Sequence, residues 1–344
     1  MAPSRIPAIC LGLGLAICLV WFTVQLSLRS PHNLLAQATD LLGGLHDQTS
    51  ALDETMSNGT DRPLVLYAYA ESNAGRADLA FFVHNGLHRR ADFVFIFNGP
   101  TNATDMVPAD LPNVRVVQRK NTCFDLGAFG EVLRTDDLWK RYKRFITMNA
   151  SIRGPFVPLY SSACWTDIFL NRVTERTKLV GLSLNCGPRP HVQSMIWATD
   201  SVGMAILLDP ELAHSVGRTD SFANRKSPVG LTPCYSDWRA AVHAEIGTTE
   251  LIQSQGYDVD VLMTAYQGHG GKHGKHGRKA TKAYCDTLDE IADPFTLQGY
   301  FGSNIHPYET VFAKANRDID LPLLEHLTLW HMNMNHTAWN MCGS

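Results

Sequence analysis

From Pro63 onward, short apolar runs alternate with segments of helical periodicity. Leu64-Val-Leu-Tyr-Ala-Tyr69 reads as a buried strand, and Ala77–Asn85 follows as a helix that Gly86 stops. Asp92-Phe-Val-Phe-Ile-Phe97 and Val114-Arg-Val-Val117 are the next strands, and Gly127–Leu133 is a helix. Phe145-Ile-Thr-Met148 is a fourth strand, ended by the polar Asn149-Ala-Ser-Ile-Arg-Gly-Pro155. A helical Trp165–Thr177, a strand Lys178–Leu184, a strand Ser194–Thr199, a helix Ser201–Leu208 and a long helix Trp238–Gly256 complete the pattern. Strands apolar throughout and separated by helices predict an α/β fold with a mostly parallel sheet flanked by helices. Ligands bind such sheets beyond the carboxyl ends of the strands. That rule selects four loops: Ala70–Arg76, Asn98–Thr101, Arg119–Gly127 and Asn149–Pro155.

Before this region the pattern changes. Ile6–Leu28 is a run of 23 uncharged residues bracketed by Arg5 and Arg29. It is long enough to cross a bilayer core of about 30 Å. A cleaved signal peptide would be shorter and end in small residues, whereas Trp21–Leu28 stays bulky, so a retained anchor is expected. The predicted organisation is a cytosolic tail 1–5, a transmembrane signal anchor 6–28, a stem 29–62, a folded domain 63–320 and a C-terminal tail 321–344. Within the stem, Leu35, Ala38, Leu42, Leu45, Thr49, Leu52 and Met56 form a heptad-like seam, interrupted by Gly43-Gly44. A spacer is expected there, with a homodimer through the stem as the alternative.

Composition narrows the class. The chain of 344 residues is 45% hydrophobic and 18% charged, ample for a large core. A net charge of −3 gives no electrostatic footprint for nucleic acid. Sequons begin at Asn58, Asn102, Asn149 and Asn335, in keeping with a lumenal, type II placement in the Golgi or another secretory-pathway membrane. Six cysteines lie beyond the anchor without a C-x-x-C pair, which favours disulfides over a zinc site built from near neighbours. The Gly268–Lys279 stretch, rich in glycine, histidine and lysine, is expected to be a solvated loop.

Three segments carry candidate chemistry. Asn121-Thr-Cys-Phe-Asp125-Leu-Gly127 sits at a strand-to-helix junction, where backbone N–H groups can face a diphosphate; Asp125 as a simple helix cap is the plainer alternative. His191-Val-Gln193-Ser194-Met-Ile-Trp197 combines an aromatic ring with hydrogen-bonding groups suited to a sugar, although tryptophan is also a common core residue. Glu245 and Thr249 lie one helical turn apart, so a carboxylate there could accept a proton from a hydroxyl, or simply be a solvated helix glutamate.

Taken in order, these stretches resemble the rhamnan-synthesis protein F-like glycosyltransferases. The resemblance rests on Asn121…Asp125-Leu-Gly127-Ala128, Met148–Pro155, His191-Val-Gln-Ser194, Glu245…Gly256-Tyr257 and His306-Pro307-Tyr-Glu309…Lys314. It implies a GT-A fold holding a nucleotide-sugar donor at the carboxyl edge of a Rossmann-like sheet, with a glycan or glycoconjugate as acceptor. It further implies donor contacts from Asn121, Asp125, Gly127, Asn149, Ser151 and Arg153, and acceptor contacts from His191, Gln193, Ser194 and Trp197. Many GT-A enzymes carry Asp-x-Asp as a Mn²⁺ or Mg²⁺ ligand where this chain has Asn149-Ala150-Ser151, so no metal residues are assigned. The resemblance makes Glu245 the general base of an inverting transfer: a Glu-Asp pair precedes the helix in many such enzymes, and Ala244 stands in place of its first acid. A non-catalytic lumenal sugar-binding or scaffold protein of the same fold is the alternative. A hydrolase is disfavoured, since no G-x-S-x-G motif is present.

Overall fold

The computed structural model describes residues 61–217, 219–268, 278–288, 293–317 and 319–343. The expected anchor, stem and Asn58 sequon, and most of the Gly268–Lys279 loop, lie outside these residues. Among the described residues no helix is long and apolar enough to cross a membrane.

Seven strands form the central sheet: β1 (Leu64–Ala70), β2 (Asp92–Asn98), β3 (Val114–Arg119), β4 (Arg144–Asn149), β6 (Thr177–Gly181), β9 (Ile196–Asp200) and β10 (Asp258–Val261). Two short antiparallel pairs accompany it, β5 (Ile152–Arg153) with β11 (Ala313–Lys314) and β7 (Leu184–Asn185) with β8 (His191–Val192). The sheet order is β10-β6-β9-β4-β1-β2-β3. All neighbours run parallel except β9, which is antiparallel to both β4 and β6. A mostly parallel sheet flanked by helices is therefore present, consistent with a GT-A architecture.

Burial follows from position in the sheet. β2 is buried along its whole length and β1 up to its last residue, as expected for strands covered on both faces. β3 is partly exposed throughout, as an edge strand with Arg115 and Gln118 should be. Helix α1 (Asn73–Asn85) starts earlier than its apolar periodicity suggests, because the Ser72 side chain caps it by accepting from the Gly75 N–H at 3.0 Å. α2 (Asp125–Arg134), α3 (Trp165–Leu170), α4 (Ser201–Leu208) and α5 (Trp238–Ser254) follow. α5 is capped by Asp237, and Gly256, with φ +86°, takes the left-handed turn just beyond its end.

Two expectations change. The run Lys178–Leu184 forms a strand only to Gly181, and the helix before it ends at Leu170 rather than Thr177. The segment 321–344, expected as a tail, belongs to the same compact unit as the sheet. There Leu321–Met332 is helical, Leu324 and Leu327 pack with Phe81 of α1, and Cys342 is bonded to Cys164. The six cysteines among the described residues are paired: Cys123–Cys234, Cys164–Cys342 and Cys186–Cys285.

Candidate functional site

In the order β3-β2-β1-β4, the chain leaves β1 towards β2 on one side and reaches β4 on the other, so β1 and β4 flank a topological switch point. The carboxyl ends of strands at such a point diverge and leave a crevice. Here a cavity of about 560 Å³ opens over them. All four loops selected from sequence contribute to it: Ala68–Ala70 at the end of β1 with Ser72 beyond it, Asn98 at the end of β2, Asn121–Asp125 after β3, and Asn149 at the end of β4 with Ala150 and Ser151 beyond it. Ser236 and Asn316 close the rim.

The wall formed by Asn121–Asp125 is fixed by the distant segment 231–236. Phe124 N–H donates to the Tyr235 carbonyl at 2.8 Å, and Cys123 is joined to Cys234. Gly127 belongs to this joint and does not line the cavity. A Cβ there would lie 2.9 Å from the Pro233 carbonyl oxygen and 3.0 Å from Cys234 Cα and Tyr235 N. The glycine permits a close approach of backbone.

On the floor, Asn149 is locked from both ends. Its amide N–H donates to Asp125 Oδ2, while its Oδ1 accepts from the Ser151 backbone N–H at 3.2 Å and from the Ser151 hydroxyl at 2.5 Å. Asp125 Oδ1 also accepts from Leu126 N–H at 3.0 Å. Asp125 is the first residue of α2, whose N-cap position is Phe124 and carries no side-chain cap bond, and its side chain lines the cavity. Burial lifts the Asp125 carboxyl above the ordinary range, Asn149 opposes this, and the charge of Glu245 reinforces it.

A cation reaches the same place from far along the chain. β11 pairs antiparallel with β5, Lys314 opposite Ile152, and the Ala315 N–H donates to the Ser151 carbonyl at 3.0 Å. Lys314 Nζ thereby donates to Ser151 Oγ at 2.8 Å. Burial pushes the Lys314 ammonium down, and the carboxylates of Glu245, Asp125 and Asp293 hold it up against that and against Arg317. Lys314, Asp125 and Glu245 thus share one electrostatic field.

Glu245 occupies the face of α5 that meets the His191–Ser194 segment. Its Oε2 accepts from the Ser194 backbone N–H at 2.9 Å and from the Ser194 hydroxyl, and its Oε1 lies 3.4 Å from His191 Nε2. One turn on, Thr249 Oγ1 accepts from Val192 N–H at 2.9 Å, as the i, i+4 spacing requires. Burial alone would raise the Glu245 carboxyl, but His191 and Ser194 outweigh it and hold it at about 2. His191 is fixed in turn by the Arg189 carbonyl, 2.7 Å from Nδ1. Gln193 is buried; its Oε1 accepts from Ser183 Oγ at 2.8 Å and its Nε2 donates to Asp293 at 3.3 Å.

Of the candidate residues, Asn121, Asp125, Asn149 and Ser151 line the cavity, whereas Gly127, Arg153, His191, Gln193, Ser194, Trp197 and Glu245 do not. Arg153 points away from the cavity, into an ion pair with fully buried Asp78 at 2.7 Å and a hydrogen bond to Thr328 at 3.3 Å. Successive residues of β5 face opposite ways, so Arg153 turns towards α1 while Ile152, opposite Lys314, faces the other side. Trp197 is 1% exposed, with its indole N–H on the Val192 carbonyl, and has no ring face to offer a sugar. Lys314, Asp293, Ser236 and Asn316 were not assigned from sequence; Ser72 lies in the selected loop Ala70–Arg76, and Lys314 is the last residue of the His306–Lys314 motif.

A divalent cation does not fit the donor set at Asn149–Ser151. Both side chains are neutral, their lone pairs are engaged with each other, and an ammonium already donates to Ser151. Among the described residues, the His/Cys/Asp/Glu cluster with metal-ligand spacing is His88, Cys164 and Cys342, whose two sulfurs are joined to each other.

No family model matches the chain. No curated protein matches it either. Among solved structures it is similar to a cytidylyltransferase from Leptospira borgpetersenii serovar Hardjo-bovis (TM-score 0.28, 11% identity, 43% of this chain and 64% of that one). It is also similar to the apo-form glycosyltransferase GlyE of Streptococcus pneumoniae TIGR4 (TM-score 0.28, 9% identity, 42% of this chain and 37% of that one). The chain thus spans less than two thirds of either neighbour, and overlaps this loose assign it neither family nor activity.

Proposed function

We propose that the protein is a membrane-anchored, lumenal glycosyltransferase that moves a sugar from a nucleotide-sugar donor to a glycan or glycoconjugate acceptor. The observation that carries this reading is the cavity over the carboxyl ends of β1 to β4, lined by Asp125, Asn149 and Ser151, with the Glu245 carboxylate in the same electrostatic field. Three disulfides favour an oxidising compartment, and the apolar run Ile6–Leu28 favours an anchor in a secretory-pathway membrane such as the Golgi.

In this reading the donor diphosphate lies along the loops after β1, β3 and β4. An acceptor hydroxyl hydrogen-bonds to Glu245 and attacks the anomeric carbon. The new carbon–oxygen bond forms as the sugar–phosphate bond breaks, the proton passes to Glu245, and the nucleoside diphosphate departs as an anion. Glu245 is ionised throughout the neutral range, so it is always in the accepting form. The acceptor oxygen becomes acidic only as its bond to carbon forms, which places proton transfer late.

The test is a screen of nucleotide sugars against residues 59–344, scoring donor hydrolysis and transfer. Turnover of one donor supports the enzyme. Donor binding without turnover favours the alternative of a non-catalytic lumenal sugar-binding or scaffold protein, which the full engagement of Glu245 by Ser194 and His191 would suit.

A further inference from the structure

The resemblance to GT-A enzymes calls for a cation beside the donor's diphosphate, and the Asn149–Ser151 loop is chemically unsuited to hold a metal. A different cation is built in. Lys314 Nζ donates to Ser151 Oγ at 2.8 Å, and that hydroxyl donates onward to Asn149 Oδ1 at 2.5 Å. The Asn149 amide then donates to Asp125. Donor follows acceptor without interruption from the ammonium to the cavity floor, and each bond in such a chain polarises the next.

Its location is also constrained rather than adventitious. Pairing of β11 with β5, with the Ala315–Ser151 backbone bond beyond it, fixes Lys314 behind the loop that follows β4. The carboxylates of Glu245, Asp125 and Asp293 and the guanidinium of Arg317 all act on it electrostatically, the carboxylates favouring its charged form. A dication brought to the same point would face an ammonium at hydrogen-bond distance from its nearest ligand.

We infer that Lys314 supplies the positive charge for the donor's diphosphate, so that the site binds a nucleoside diphosphate and its sugar without a divalent cation. This rests on the donor-site reading above and adds to it the identity of the counter-charge. Lys314 acts through Ser151 as a positioning and electrostatic residue.

The experiment is calorimetric titration of the full chain in detergent micelles with UDP, GDP, CDP and ADP, each with EDTA or with MnCl₂. Wild type, Lys314→Met and Lys314→Arg are compared after their melting temperatures are matched. One nucleotide should bind wild type with an affinity that EDTA changes less than about twofold. Lys314→Met should weaken it about tenfold or more, the loss expected when one charge-assisted contact is removed. Lys314→Arg, which keeps the charge, should retain most of the affinity. If Lys314→Met does not fold, Lys314→Gln carries the same comparison, since it removes the charge while keeping a polar end. Binding that disappears in EDTA, or that survives loss of the charge, overturns the inference and leaves the donor reading standing. Failure of every nucleotide to bind wild type overturns the donor reading and the inference together.

Discussion

At the scale of single residues, the account turns on Glu245. Its two oxygens are held by Ser194 and His191, and the carboxyl is depressed from 4.5 to about 2. Glu245→Gln should leave donor binding intact and lower kcat by about 10²–10⁴-fold, the usual contribution of a positioned base. Single-turnover kinetics would check it, and a near-normal rate would remove Glu245 from the chemistry. The same shift has a consequence for stability. Because the folded pKa lies below the unfolded one, the contribution is present above about pH 4.5 and disappears as pH falls to about 2. It amounts to about 3 kcal/mol. Urea denaturation should show the stability gap between wild type and Glu245→Gln closing across that window. A gap independent of pH would mean that the carboxylate is not held as described. A motif and a helical period both mark Glu245 in the sequence, and the structure sets it against Ser194 and His191. Arg153 was misread because sequence shows its charge but not its partner, and buried Asp78 decides where the guanidinium points. Trp197 illustrates the same limit, since burial of a ring depends on what packs over it.

At the scale of elements, most strands and helices followed from apolar runs, caps and glycines. Ser201–Leu208 begins after its cap Asp200 and ends where sequence placed it. The direction of β9 did not follow: an apolar run carries no sign of parallel or antiparallel pairing, which the connection alone determines. Nor did the short β5–β11 pair, whose two residues per strand leave no periodicity to read. That is why Lys314, the residue it delivers, went unassigned. The junction of α2 with segment 231–236 yields a prediction of its own. Gly127→Ala would drive a methyl group against backbone at 2.9–3.0 Å, where no flexible side chain can yield. A loss of about 1–3 kcal/mol is expected by chemical denaturation, together with weaker nucleotide binding as the Asn121–Asp125 wall shifts. Unchanged stability would show that the two segments are not in register as described.

At the scale of the whole molecule, one sheet gathers segments from positions 68 to 151 onto a single rim, and Ser236 and Asn316 return to close it. The rim was visible in sequence because a parallel sheet has one carboxyl edge and its polar loops announce themselves. The closing segments were not, because disulfide pairing and the return of the chain after residue 293 are properties of the assembled fold. The anchor and stem remain sequence expectations, consistent with the disulfides but outside the described residues. The central claim is that this rim grips a diphosphate-linked sugar. Hydrogen–deuterium exchange of the full chain, with and without the nucleotide that binds in titration, tests it most directly. Slowed exchange should be confined to peptides covering 68–72, 121–125 and 149–151, with a smaller effect around 236 and 314–316. Protection elsewhere, with these loops exchanging as fast as in the free protein, would contradict the account.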